Sequence, residues 1–181
     1  RPRAPVQAYR GAWHTLTLPG TLTPTITALA KRERVTVFMV LLAAFETVLS
    51  RYTVDEEVVI GTPVAGRSRT ELEGLIGVFV NTLVMRGDLR GNPRFRELLA
   101  RVKRTALEAY AHPDTPFERI VDELRPPRDP GRTPVFQVMF NLHNEPAQAL
   151  EFAGLDVTRL GVGRRTAKFD LTVGVVEHAN G

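Results

Sequence analysis

Apolar positions fall into two periods along the chain. Phe38, Leu41, Leu42, Phe45, Val48, Leu49 and Tyr52 recur at helical spacing, which predicts an amphipathic helix. Val37, Val40 and Ala44 make its other side apolar too, so it is expected to be buried on more than one side. Thr36 stands where an N-cap belongs. A shorter helix is expected over 23–34, with Pro24 suited to its first turn. Asn92-Pro93 predicts the start of a third helix by cap and first-turn chemistry. Its buried stripe is Phe95, Leu98, Leu99, Val102, Ala106 and Tyr110, and Arg96, Glu97, Arg101, Lys103 and Arg104 face solvent. Thr115-Pro116-Phe117-Glu118 reads as a capping box with Thr115 as cap and Glu118 three residues on. It opens a short helix buried through Phe117, Ile120, Val121 and Leu124.

Period-two and continuous apolar runs predict the strands. Glu57 to Gly61 reads as a short central strand, left by a loop over Thr62-Pro63-Val64-Ala65-Gly66-Arg67 because Pro and Gly stop regular structure. Val78 to Arg86 is the next strand. Phe136, Val138, Phe140 and Leu142 alternate, as do Phe169, Leu171, Val173 and Val175. Further strands are expected over 12–18 and 150–160. The expected organisation is a linker and first strand over 1–20, then a single lobe over 21–181. The absence of an initiator Met and the closing hairpin pair Asn180-Gly181 read as the ends of an excised piece. Helices interleaved with strands predict an α/β (α+β) sandwich, a mixed sheet covered by helices.

Composition narrows the function. The chain has 181 residues, 43% hydrophobic and without cysteine, which suits a cored domain in a reducing cytoplasm and excludes disulfides and thiolate metal sites. The longest apolar run, Val37 to Phe45, ends at Glu46 and falls short of the ~20 residues of a membrane span. Net charge is +4. The basic clusters at 31–34, 125–132 and 164–165 are broken by acids or prolines and carry no interleaved aromatics, which argues against nucleic acid. An acidic protein partner fits better. Arg101, Arg104 and Arg164 are expected to meet it.

No metal site, phosphate loop or nucleophile elbow is legible. His14, His112, His143 and His178 are isolated from one another, and the serines are Ser50 and Ser68. His112-Pro113-Asp114 has the makings of an acid–base pair, but it also reads as a helix-terminal His followed by a turn Asp, and that reading is preferred.

Three segments carry a resemblance. Ile76-Gly77-Val78-Phe79-Val80-Asn81-Thr82-Leu83-Val84-Met85-Arg86, then His112-Pro113-Asp114-Thr115-Pro116-Phe117-Glu118, then Arg128-Asp129-Pro130-Gly131-Arg132-Thr133-Pro134-Val135-Phe136 resemble, in order and spacing, core motifs of nonribosomal peptide synthetase condensation domains. The segments 61–67 and 136–140 are similar as well. Pro113, Gly131 and Val78 depart from the residues common there. The resemblance implies one of two chloramphenicol-acetyltransferase-like lobes that form a V around a tunnel. Donor and acceptor carrier proteins enter it from opposite sides, each with a thioester on a phosphopantetheine arm. The family's catalytic His-His-x-x-x-Asp-Gly motif belongs to the other, N-terminal lobe, and no adjacent His pair occurs here. This chain is therefore expected to be the C-terminal lobe, with no catalytic residue, metal or directly bound cofactor of its own. Its expected partners are the N-terminal lobe, the two carriers and an adenylation domain.

The resemblance places Asn81 beside the tunnel, where a structural hydrogen bond and a bond to substrate are both open readings. It places Thr62, Pro63 and Val64 on a loop at the tunnel floor. Arg67 is expected to pair with Glu71 or Glu73, and Arg128, Asp129 and Arg132 to pin a loop. Gly77, Phe79, Thr82, Arg86, His112, Asp114, Pro116, Phe117 and Pro134 are motif residues with structural roles. A non-catalytic condensation-like module that recruits a carrier or tailoring enzyme, and an epimerisation-domain lobe, are the alternatives.

Overall fold

The computed structural model describes residues 3–67, 70–72, 74–143, 154–158 and 165–177. Within them the order is α1 (Leu22–Glu33), α2 (Val37–Thr53), β1 (Glu57–Val64), a 3-10 turn (Thr70–Leu72), β2 (Asn81–Asp88), α3 (Phe95–Tyr110), α4 (Phe117–Leu124), β3 (Val138–His143) and β4 (Leu171–Val176). Thr36 caps α2 as its position predicts, its Oγ1 accepting the Met39 N–H at 3.2 Å.

The sheet runs β2-β1-β3-β4. β1 and β2 are antiparallel from Glu57↔Asp88 to Val64↔Asn81. β3 joins β1 in parallel at Ile60 and Gly61, and β4 runs parallel to β3. This is the expected mixed α/β sheet. α2 and α3 cover one face. Val58, Ile60, Leu83, Met85 and Phe140 from the sheet pack with Met39, Val40, Leu42 and Ala43 of α2 and Leu98, Leu99, Val102 and Ala106 of α3. The Phe140 ring lies 5.4 Å from Phe45 and 5.7 Å from Phe38. On the other face Phe136 stands against Gly61, where any Cβ would strike its ring. Phe117 and Phe169 each lie 5.3 Å from Phe136.

Several expectations change. β1 runs on through Thr62, Pro63 and Val64 rather than ending at Gly61. β3 pairs no further than Gly61, so that edge of Pro63 is open and its missing donor costs no ladder bond. β2 begins at Asn81, not Val78, because Asn81 is the residue that meets the end of β1. Ile76, Val78 and Val80 before it are exposed. Asn92 does not cap α3. It lies in a turn at φ 48, beside Gly91 at φ 77, and the N-cap position falls to Arg94, whose N–H bonds the Glu97 carboxylate at 2.9 Å. Tyr52 and Leu124 are exposed, not buried.

Residues 12–18 form no strand. The chain before them is a strap. Gln7 N–H bonds Pro130 O (3.0 Å), Gly11 N–H bonds Arg165 O (2.8 Å) and Ala167 N–H bonds Tyr9 O (2.8 Å). Arg3 pairs with Asp170 and donates to Gly131 O at 3.0 Å. Of the strand expected over 150–160 only 154–158 are described, and they carry no extended ladder. Asn180-Gly181, Glu73, Ser68, Arg164 and His178 lie outside the described residues.

Candidate functional site

An open cleft of about 290 Å³ is lined by Gly66, Phe79, Val80, Asn81, Pro113, Asp114, Pro116 and Glu118. Three segments build it: the chain leaving β1, the chain entering β2, and the turn between α3 and α4. Gly66 lets the first two approach. Its φ is +63, and a Cβ there would collide with the Phe79 carbonyl. Arg67 lies over the Phe79 ring, 4.7 Å from its centroid, and donates to the carbonyls of Leu72 and Leu75, each at 2.8 Å. These bonds hold the 67–79 loop to itself.

Asn81 ties the third segment on. Its Nδ2 donates to Pro113 O at 2.8 Å and to Thr115 O at 2.7 Å, and its Oδ1 accepts the Phe117 N–H at 3.3 Å. This overturns the capping box. Pro116 occupies the N-cap of α4 and no side chain within the turn bonds there. The Thr115 N–H, which Glu118 was expected to take, goes to His112 O at 3.3 Å. Glu118 and Asp114 are instead exposed at the cleft rim.

The other expected residues are dispersed. Thr62 is buried within β1, and Pro63 and Val64 are half-buried in it, so none lies on a floor loop. Thr82 pairs with Pro63 across the ladder. Arg86 is exposed and paired with Glu57. Gly77 lies next to the Phe79 ring, and His112 is exposed past the end of α3. Asp129 Oδ1 accepts the Gly131 N–H at 2.8 Å and Arg132 Nε lies 3.4 Å from Asp129 Oδ2, so these two do pin the 128–134 loop. Arg128 makes no ion pair among the described residues. Pro134 O accepts the Phe136 N–H at 2.8 Å.

One residue escaped the sequence. Glu46 is only 1% exposed, its Oε2 has no hydrogen-bond partner among the described residues, and burial pushes its carboxyl up to about 8. A signal was there: position 46 continues the stripe Met39, Leu42, Ala43 by helical spacing. Among the described residues no His, Asp and Glu cluster could hold a metal, and no single helix is long and apolar enough to cross a membrane.

A family profile described as Condensation domain matches residues 1–181. The chain belongs to the condensation-domain family. A linear gramicidin synthase polypeptide of Brevibacillus parabrevis is 52% identical over 179 residues, covering 98% of this chain and 2% of that protein. A phosphinothricin tripeptide synthetase of Streptomyces viridochromogenes is 42% identical over 184 residues, covering 100% of this chain and 16% of that one. The chain thus spans a small fraction of the curated relatives it matches. Among solved structures, the X-domain from teicoplanin biosynthesis superposes with a TM-score of 0.90 at 29% identity, over 99% of this chain and 40% of that one. The first condensation domain of the CDA synthetase shares the fold at a TM-score of 0.71 and 21% identity. In this condensation-domain chain the three motif segments converge. The first two meet through Asn81, and the second and third through the Phe117–Phe136 contact.

Proposed function

We propose that this chain is the C-terminal lobe of a condensation domain that forms peptide bonds in nonribosomal peptide synthesis. The observation that carries the reading is a match to the condensation profile along the whole chain, with coverage of only 40% of a solved neighbour's length. In the reaction an acceptor amine attacks the carbonyl of a donor thioester. The C–N bond forms, the C–S bond breaks, and the phosphopantetheine thiol leaves on the donor carrier. The paired histidines come from the N-terminal lobe. The present lobe supplies the facing wall, with Asn81 and the cleft residues near the reacting groups. Thr62, Pro63 and Val64 hold the end of β1 against β2 and shape acceptor access through it. The phosphopantetheine arm belongs to the carriers, and the adenylation domain that loads them is a neighbour in a cytoplasmic synthetase.

The test is reconstitution. Purified chain with charged donor and acceptor carriers should give no dipeptidyl product, and joining it to its upstream lobe should restore turnover. Product from the chain alone would overturn the reading. A second reading is a non-catalytic module that recruits a tailoring enzyme. The teicoplanin X-domain favours it, since that neighbour was also solved in a complex with OxyB and superposes at a TM-score of 0.89. A two-lobe protein that is inert with charged carriers yet binds a tailoring oxidase would favour this alternative.

A further inference from the structure

We propose that Asn81 is a positioning residue of the condensation site: it acts on the reaction by holding the 113–117 turn, and it does not touch the substrate. The inference rests on the reading of this chain as a condensation lobe. Its basis is the engagement of both polar atoms of the Asn81 amide. A primary amide has two N–H donors and a carbonyl oxygen with two lone pairs. Both donors are spent on Pro113 O and Thr115 O, and the acceptor faces the Phe117 N–H. These bonds span 32, 34 and 36 residues of sequence. They supply from another element what α4 lacks locally, since Pro116 at its N-cap has no side-chain oxygen and Thr115 makes no cap bond.

The anchor is rigid and its load is the cleft. Asn81 is fixed by pairing with Val64 at the end of the β1–β2 ladder. The turn it holds and the start of α4 carry Pro113, Asp114, Pro116 and Glu118, half of the cleft lining, while Gly66, Phe79, Val80 and Asn81 itself form the other half. The position requires asparagine. Asp keeps an acceptor for Phe117 but sets carboxylate oxygens against two carbonyls. Ser offers a single donor. Gln has the right groups one methylene too far out.

The experiment uses the complete two-lobe domain with charged carriers and the variants Asn81→Asp, Asn81→Gln, Asn81→Ser and Asn81→Ala. Hydrogen exchange at the Phe117 amide is read beside kcat and the KM for the charged acceptor carrier. Phe117 exchange should accelerate by about tenfold in Asn81→Ala. Across the set, turnover should fall in the order in which protection is lost, with Asn81→Gln nearest to wild type. Lost turnover with Phe117 protection intact would overturn the proposal and make Asn81 a substrate contact. Lost protection with unchanged kcat and KM would also overturn it, because the turn would then have no bearing on the reaction. A wild-type two-lobe domain that forms no product would refute the condensation reading itself, and the link to turnover with it. The exchange at Phe117 would still report whether Asn81 caps α4.

Discussion

Glu46 sits on the buried stripe of α2 with its carboxyl against Gly87, where a Cβ would come within 2.5 Å of Glu46 Cδ. No cation among the described residues answers it. Arg101 of α3 is turned to the carbonyls of Asp88 and Arg90, and Arg86 and Glu57 pair on the opposite face of the sheet. The folded state therefore holds the neutral acid. With its folded value raised to about 8 from an ordinary 4.5, stability is full below pH 4.5 and is lost as pH rises toward 8. The loss is about 2–4 kcal/mol for a group this buried. Urea denaturation at pH 5 and pH 8 should record that fall, and Glu46→Gln should largely remove it, so the variant is the more stable protein at pH 8. Parallel pH profiles for the two proteins would show that Glu46 is ionised in the fold. Gly87→Ala should destabilise at either pH, because the added methyl meets both Glu46 and Val58 Cγ2 at 2.8 Å.

The elements show where local chemistry suffices and where it does not. α4 depends on a cap from β2, so Thr115→Ala should leave the denaturation midpoint in place. Asn81→Ala should cost about 1–3 kcal/mol by orphaning two carbonyls and an N–H. Equal midpoints for wild type and Asn81→Ala would contradict the cap. α2 ends on Val54, a β-branched residue at φ 63 and 87% exposed, its N–H bonded to Ser50 O at 2.9 Å. Left-handed backbone strains such a residue, and glycine relieves it. Val54→Gly should raise stability by about 1 kcal/mol, and a lowered thermal midpoint would show that the strain is not there. Gly66 is the reverse case. Alanine there meets both a positive φ and the Phe79 carbonyl, so Gly66→Ala should loosen the cleft and increase proteolysis between residues 66 and 80.

At the scale of the whole molecule, an apolar run stands uncovered among the described residues. Leu75, Ile76, Val78 and Val80 stand exposed in one short run beside the cleft, a patch suited to cover by another surface. The isolated chain should therefore self-associate, and its upstream lobe should convert it to a monomeric two-lobe particle. Sedimentation velocity over a wide concentration range measures both. A clean monomer, unchanged by the second lobe, would count against the lobe reading. Carrier docking should weaken with added salt, with exposed Arg104 a better contact than Arg101, which is engaged at the β2–α3 connection.

Features that depend on neighbours in sequence were legible in the chain alone. The Thr36 cap, the α3 stripe from Leu98 to Ala106 and the alternation of β3 and β4 all rest on short-range periodicity or local hydrogen bonds. The α/β class follows from them, and the family from the resemblance that the three motif segments carry. The tertiary structure alone decided the matters that turn on distant partners. β1 passes through Pro63 because its β3 edge is already open there. β2 starts at Asn81 because Val64 is where its partner ends. Glu46 is buried because a glycine stands opposite it on β2. Asn81, which the motif left poised between a structural bond and a substrate, makes three bonds to a turn more than thirty residues away. A side-chain amide is drawn to whichever unsatisfied backbone groups the fold brings within reach, and no local pattern in the sequence specifies which groups those will be.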